Sequence, residues 1–292
     1  MEFAANIMSH LRQAKTHLCL GIDPPLSLAE KNPSLKIPTF FWDQWRKNDR
    51  VGWLERYGTA LLEASKGLVP AVKPQAAYFE ALGYEGFRVL GGLVKKAREF
   101  GFLTILDVKR GDIATTMEAY GHMAFEAFGA DSMTVTAYMG MDVIRPLIPW
   151  MQRGKGVYVV WISSNPSGGE IQNLCAPKLL QSLVEFSREN EVNTSLGVVY
   201  GATKLPLIGG TFESELNKFN LLMPGIGAQG GQVTESLTGL LKIHPTALVP
   251  QSRSLGQLEN QDDEDEPRSW DDFSELVARR IHRASQALPF GC

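Results

Sequence analysis

Eight short apolar runs recur along the chain with room for a helix between neighbours, and most stop at a polar residue or a proline. They lie at 17–23, 68–75, 102–109, 132–137, 157–162, 196–200, 221–224 and 247–250. Helical periodicity fills many of the gaps, at 54–66, 79–100, 115–128, 143–153 and 176–190, with a short polar helix near 204–208 and a terminal one at 273–287. Strands that alternate with helices make a parallel sheet. Eight such units in 292 residues, with no linker between them, predict one (β/α)₈ barrel, a TIM barrel, as a single domain over 1–292 rather than an open doubly wound sheet. The prediction has a geometric corollary. Polar residues that close the strands, namely Asp23, Lys73, Asp107, Lys109, Ser163, Ser164 and Arg253, should gather at one mouth of the barrel.

Two segments stand outside the repeat. Residues 24–53 open on Pro24-Pro25, which cannot continue a strand, and read as an insertion after strand one. Its Trp42, Trp45 and Trp53 are expected to tie the insertion to the body rather than to stack on a ligand. The run at 259–266, Glu-Asn-Gln-Asp-Asp-Glu-Asp-Glu, reads as a solvated loop, because it lacks the glycine and the spacing of a calcium loop. Residues 1–15 read as a short amphipathic helix, with neither a signal-peptide core nor a membrane-length span.

Charge and cysteine content exclude several functions. A net charge of −3 without a basic stripe argues against nucleic acid as a partner. Cys19, Cys175 and Cys292 are odd in number and widely spaced, which suits a reducing cytoplasm, and Cys19 is expected in the core. The five histidines are scattered without ligand spacing, so no metal site is expected. There is also no G-x-S-x-G elbow, no Walker loop and no Cys-His signature.

The chemistry concentrates at Asp107-Val108-Lys109-Arg110-Gly111-Asp112-Ile113. On an extended strand Asp107 and Lys109, two residues apart, leave the same face. Taken singly, they read as a structural ion pair and Asp112 as a helix N-cap. Taken with Lys73 and Asp23 from neighbouring strand ends, they form an array in which each carboxylate holds a lysine protonated. Such an ammonium can stabilise a carbanion and deliver a proton. The glycine-rich stretch 224–231 after strand seven and Ser252-Arg253-Ser254 after strand eight are placed where these barrels often grip phosphate. Ser163-Ser164-Asn165-Pro166 after strand five is polar and small, fit to read the edge of a heterocycle or to close as a lid.

Together, Asp-x-Lys-x-x-Asp-Ile at 107–113, Val-Lys-Pro-Gln at 72–75 and Pro-Gly-Ile-Gly-Ala-Gln-Gly-Gly at 224–231 resemble the orotidine 5'-phosphate decarboxylase family. The Arg110-Gly111 variant, the Ser-Asn-Pro loop and the long first insertion resemble its longer bacterial subgroup. The resemblance implies decarboxylation of orotidine 5'-phosphate to uridine 5'-monophosphate, in de novo pyrimidine synthesis, without a cofactor. It implies that Lys109 is the proton donor and carbanion partner, and that Asp107 lies beside the substrate carboxylate. Asp23 and Lys73 would contact the ribose and complete the array, Ser164 and Ser163 would read the pyrimidine, and Gln229 and Arg253 would hold the phosphate. Family members are homodimers, so Asp112, Ile113 and Thr116 would reach into the partner's site. Two alternatives stay open: a metal-dependent sugar-phosphate decarboxylase or aldolase of the same superfamily, and a non-catalytic nucleotide-binding barrel. The Lys73 motif and the loop at 163–169 favour orotidine phosphate over both.

Overall fold

The structure is a computed structural model that describes residues 2–25, 35–36, 40–41, 49–207, 213–226, 233–259 and 266–291. Ten strands run in chain order: β1 (Leu18–Ile22), β2 (Leu35–Lys36), β3 (Ala71–Pro74), β4 (Leu103–Arg110), β5 (Ser132–Val135), β6 (Gly156–Ile162), β7 (Leu196–Tyr200), β8 (Asn220–Leu222), β9 (Val249–Gln251) and β10 (Leu258–Glu259). Eight of them form one sheet in the order β8-β7-β6-β5-β4-β3-β1-β9, and every pairing in it is parallel. A parallel bridge between Leu222 and Leu248, with Met223 N–H donating to Leu248 O at 2.8 Å, brings the two edges together. The expected barrel is therefore present.

Alternation along the strands sorts the core into two. Leu18, Leu20, Ile22, Val72, Leu106 and Val108 belong to the outer layer under the helices. Cys19, Ala71, Leu103, Ile105, Tyr158, Val199 and Leu222 fill the barrel interior. The inward positions of β1, β3 and β4 are apolar near the amino ends of the strands and become Asp23, Lys73 and Asp107 near the carboxyl ends. The period-2 pleat makes this a single column on each strand.

The helix Phe3–Ala14 closes the opposite end. Its Phe3, Ile7 and Leu11, spaced to share one face, join the interior cluster and are fully buried. Burial of such side chains is worth about 1.5–3 kcal/mol each. Phe3 seats against Gly156, where an added Cβ would fall 2.2 Å from the ring. The expected amphipathic helix thus plugs the barrel.

Several helices differ from the sequence reading. The helix-rich stretch 79–100 holds the end of the helix Ala76–Glu80 and the helix Gly83–Glu99, separated where Gly83 takes a φ of +66°. Residues 143–153 hold only short turns, including Arg145–Leu147 and Ile148–Met151, because Pro146 and Pro149 lack the N–H a continuous helix needs. The helix after β6 begins at Gly169, earlier than expected, and accommodates Pro177. The segment near 204–208 is a 3₁₀ turn over Ala202–Leu207.

Much of the insertion lies outside the described residues, including Trp42 and Trp45. Trp53, the described member of the three tryptophans, lies within the helix Arg50–Ser65. Phe41 stacks on Trp270 and meets Trp53, Tyr57 and Phe273 edge-on, which ties it to the helices Arg50–Ser65 and Trp270–Ala287. β2 pairs antiparallel with β10, so the insertion also meets the start of the acidic segment, whose residues 260–265 lie outside the described ones.

Two histidines predict an acid limit to stability. His17 donates from Nδ1 to Ala247 O at 2.8 Å, and burial pushes the pKa of His17 down and that of His244 down to about 4. Both imidazoles are neutral in the fold, whereas the unfolded chain takes up protons near pH 6.5. The unfolded state thus binds more protons, and stability drains away as pH falls from about 6.5 towards 4. Unfolding midpoints measured from pH 7.5 down to 4.5 should drop over that window; a flat profile would contradict the buried neutral pair.

Candidate active site

All seven strand-end residues named from the sequence, Asp23, Lys73, Asp107, Lys109, Ser163, Ser164 and Arg253, line one cavity of about 390 Å³ at the carboxyl mouth of the barrel. Gly21 gives the cavity part of its floor, and an added Cβ there would fall 2.6 Å from the Cβ of Ser252. The wall is therefore closed by backbone approaching side chain.

Asp107 is the hub. Its Oδ2 accepts from Lys73 Nζ at 2.7 Å and from Gln75 Nε2 at 3.2 Å, and its Oδ1 accepts from Lys109 Nζ at 2.6 Å and Thr134 Oγ1 at 2.9 Å. Burial works against the charge on this carboxylate, but Lys73 and then Lys109 outweigh it and hold its pKa well below the usual aspartate value. Burial likewise opposes the charge on Lys73, yet Asp107 and Asp23 raise its pKa above the ordinary lysine value. Both groups stay ionised across neutral pH. Four donors converge on two oxygens, so the carboxylate is oriented as well as charged.

The lysines differ in exposure. The Lys73 side chain is 9% exposed and that of Lys109 is 47% exposed. The buried lysine between two acids is thus Lys73, and Lys109 is the one that projects into the mouth.

Lys109 reaches Asp107 by a route the simple alternation does not contain. β4 pairs with β5 at Ile105↔Ser132 and Leu106↔Met133, and next at Arg110↔Val135. The step from Leu106 to Arg110 on β4 matches only Met133 to Val135 on β5, so β4 bulges. Lys109 lies in that bulge with φ at +43°, a left-handed conformation costing a branched or long side chain about 1–3 kcal/mol.

Asp23 sits at the end of β1, where Ser252 Oγ donates to its Oδ2 at 2.6 Å. Its Oδ1 is buried and finds no donor among the described residues. That free acceptor suits a hydroxyl supplied by a ligand. Ser163 is fastened by Gln172 of the helix Gly169–Glu189, which accepts from Ser163 N–H at 2.9 Å and also hydrogen-bonds its hydroxyl. Thr203 Oγ1 donates to Ser164 O at 3.2 Å. Both serines are partly exposed, which leaves a polar rim opposite the charge array.

Three sequence-named residues lie elsewhere. Asp112, Ile113 and Thr116 follow β4 on the outside of the cavity, with Ile113 half exposed. Asp112 does not cap the next helix as its simplest reading had it: the N-cap is Ile113, and Asp112 Oδ1 accepts from Ile113 N–H at 2.8 Å. Gln229 and most of the glycine-rich stretch, 227–231, lie outside the described residues. Cys19 is a core residue as expected, and burial pushes its thiol up to about 12, so it is no nucleophile.

Three polar cavity residues carried no role in the sequence reading: Gln75, Tyr78 and Thr134. Thr134 had a legible signal. Ser132 and Thr134 alternate along β5, with Thr136 just past its end, which places hydroxyls on one face of a strand beside the charged one.

Among the described residues no three His, Cys, Asp or Glu side chains gather as a metal ion would need. No described helix is long and apolar enough to cross a membrane.

Comparison with known proteins gives the family. Residues 16–242 match the model of the "Orotidine 5'-phosphate decarboxylase / HUMPS family". The chain is 36% identical over 225 residues to an orotidine 5'-phosphate decarboxylase of Streptomyces coelicolor, covering 73% of this chain and 75% of that one. It is 35% identical over 239 residues to the Myxococcus xanthus protein of the same name, at 77% and 78% coverage. Among solved structures, a putative orotidine 5'-phosphate decarboxylase from Streptomyces avermitilis superposes with a TM-score of 0.73 at 29% identity, covering 97% of this chain and 95% of that one.

Proposed function

The chain belongs to the orotidine 5'-phosphate decarboxylase / HUMPS family, and from that premise we propose which of its residues carry out the reaction. It is a carboxy-lyase that converts orotidine 5'-phosphate to uridine 5'-monophosphate in pyrimidine biosynthesis. The difficulty of that reaction is electronic. Breaking the bond between ring and carboxylate leaves an electron pair in the plane of the ring, where the π system cannot take it up.

Lys109 answers that difficulty. Its ammonium stands where the pair develops, stabilises it, and gives the ring carbon a proton as carbon dioxide departs. Asp107 lies beside the substrate carboxylate and fixes Lys109, and Lys73 keeps Asp107 ionised. Asp23 offers its free Oδ1 to a ribose hydroxyl, Ser163 and Ser164 meet the pyrimidine edge, and Arg253 with Gln229 holds the phosphate. Binding energy from the phosphate, remote from the reacting carbon, can then go into positioning it. The observation that carries the reading is the contact of Lys109 Nζ with Asp107 Oδ1 at 2.6 Å while Lys73 holds the other oxygen at 2.7 Å.

The active unit is a homodimer with shared sites. Asp112, Ile113 and Thr116 leave their own cavity, and exposed Ile113, Tyr138 and Met139 follow β4 and β5 on the same side of the mouth. Their apolar surface suits a second copy of the chain. The enzyme works in the cytoplasm as one domain, with 24–53 as an insertion and 259–266 as a loop, and neither nucleic acid nor membrane is a partner.

No metal or cofactor takes part in this scheme. All four described contacts of Asp107 are hydrogen-bond donors, two of them cationic, which suits a group held by lysines rather than one reserved for a divalent ion. Purified enzyme should convert orotidine 5'-phosphate at an unchanged rate in excess EDTA, followed by loss of the substrate's ultraviolet absorbance. A rate that collapses with EDTA and returns with magnesium would instead favour the metal-dependent sugar-phosphate chemistry of the superfamily.

A further inference from the structure

We propose that Thr134 is a positioning residue for the decarboxylation, the latch that holds the β4 bulge in the shape that presents Lys109. Its hydroxyl donates to Asp107 Oδ1 at 2.9 Å and accepts from the backbone N–H of Lys109 at 2.9 Å. A hydroxyl has one proton to give, and an N–H can only donate, so the two bonds fix its orientation: the proton points at Asp107. The residue is 1% exposed.

The strand pairing explains why a latch is needed there. Ladder pairing between β4 and β5 is interrupted from Leu106 to Arg110, and it resumes as Thr136 N–H donates to Arg110 O at 2.7 Å. Within the gap the Lys109 N–H has lost its place in the ladder, and the Thr134 side chain takes over as its acceptor. The same oxygen ties that backbone to the carboxylate that Lys109 Nζ touches. One hydroxyl therefore couples both ends of Lys109, its strained backbone at φ +43° and its charged tip, to one reference atom. Thr134 need not touch substrate to do this.

The inference rests on Lys109 and Asp107 being the reacting pair, so Lys109→Ala is assayed alongside. Thr134→Val keeps the shape and removes the hydroxyl. It should lower kcat on the order of 10²-fold, the scale of a misplacement of about 1 Å at a reacting group, with KM changed by less than about three-fold. Thr134→Ser restores the hydroxyl and should recover kcat to within a few-fold. Should Thr134→Val fail to fold, Thr134→Ala replaces it under the same criteria. Wild-type kcat in the hydroxyl-free variant, or a Ser variant as slow as it, overturns the latch. Full activity of Lys109→Ala would instead overturn the assignment beneath it.

Discussion

Lys109→Ala is expected to abolish turnover while leaving the fold intact. Loss of a general acid alone costs about 10²–10⁴-fold, and loss of an electrostatic partner aimed at developing charge costs about 10²–10³-fold. In the proposed mechanism Lys109 serves in both ways, so the fall in kcat should be at least about 10⁴-fold. The fold should tolerate the change because the side chain is 47% exposed and Asp107 keeps Lys73, Gln75 and Thr134 as donors. Carbon dioxide release and the thermal midpoint, measured on the same preparation, check both halves. Activity within ten-fold of wild type would remove Lys109 from the chemistry, whereas an unfolded variant would be read against Lys109→Met, which keeps the aliphatic stem.

A mixture of two inactive chains is expected to regain activity. In the shared-site dimer proposed above, each site would take Lys109 from one chain and Asp112 from the other. A hybrid of Lys109→Ala and Asp112→Ala chains then has one site lacking both groups and one site lacking neither. Random exchange makes half of the dimers hybrids, so the mixture should recover up to about one quarter of wild-type specific activity. Exchange would be verified with differently tagged chains. Proven exchange without recovery would place Asp112 in its own chain's site or in none, and the exposed face around Ile113, Tyr138 and Met139 would need another explanation.

Much of the site was legible because a parallel barrel converts sequence position into place. A residue that ends a strand must stand at the carboxyl mouth, so Asp23, Lys73, Asp107 and Arg253 could be grouped although they are far apart in sequence. Helix boundaries were less legible. Residues 143–153 carry apolar spacing that suits a helix, but Pro146 and Pro149 reduce it to short turns. Within the helix-rich stretch 79–100 the break falls at Gly83, because a left-handed residue turns the chain there.

The chain by itself determined the architecture and the identity of the charges. Eight strand and helix units, period-2 alternation and polar residues at strand ends depend on local sequence, and each is fixed by which face of a strand or helix a side chain occupies. Tertiary structure decided how the charges are used. That Lys73, on β3 between β1 and β4, is the buried lysine and Lys109 the projecting one depends on the packed sheet, and that β4 bulges between Leu106 and Arg110 with Thr134 spanning the bulge depends on pairing with β5. A bulge is a mismatch in residue count between two strands, so it exists only once both are in register, and neither strand's own pattern contains it.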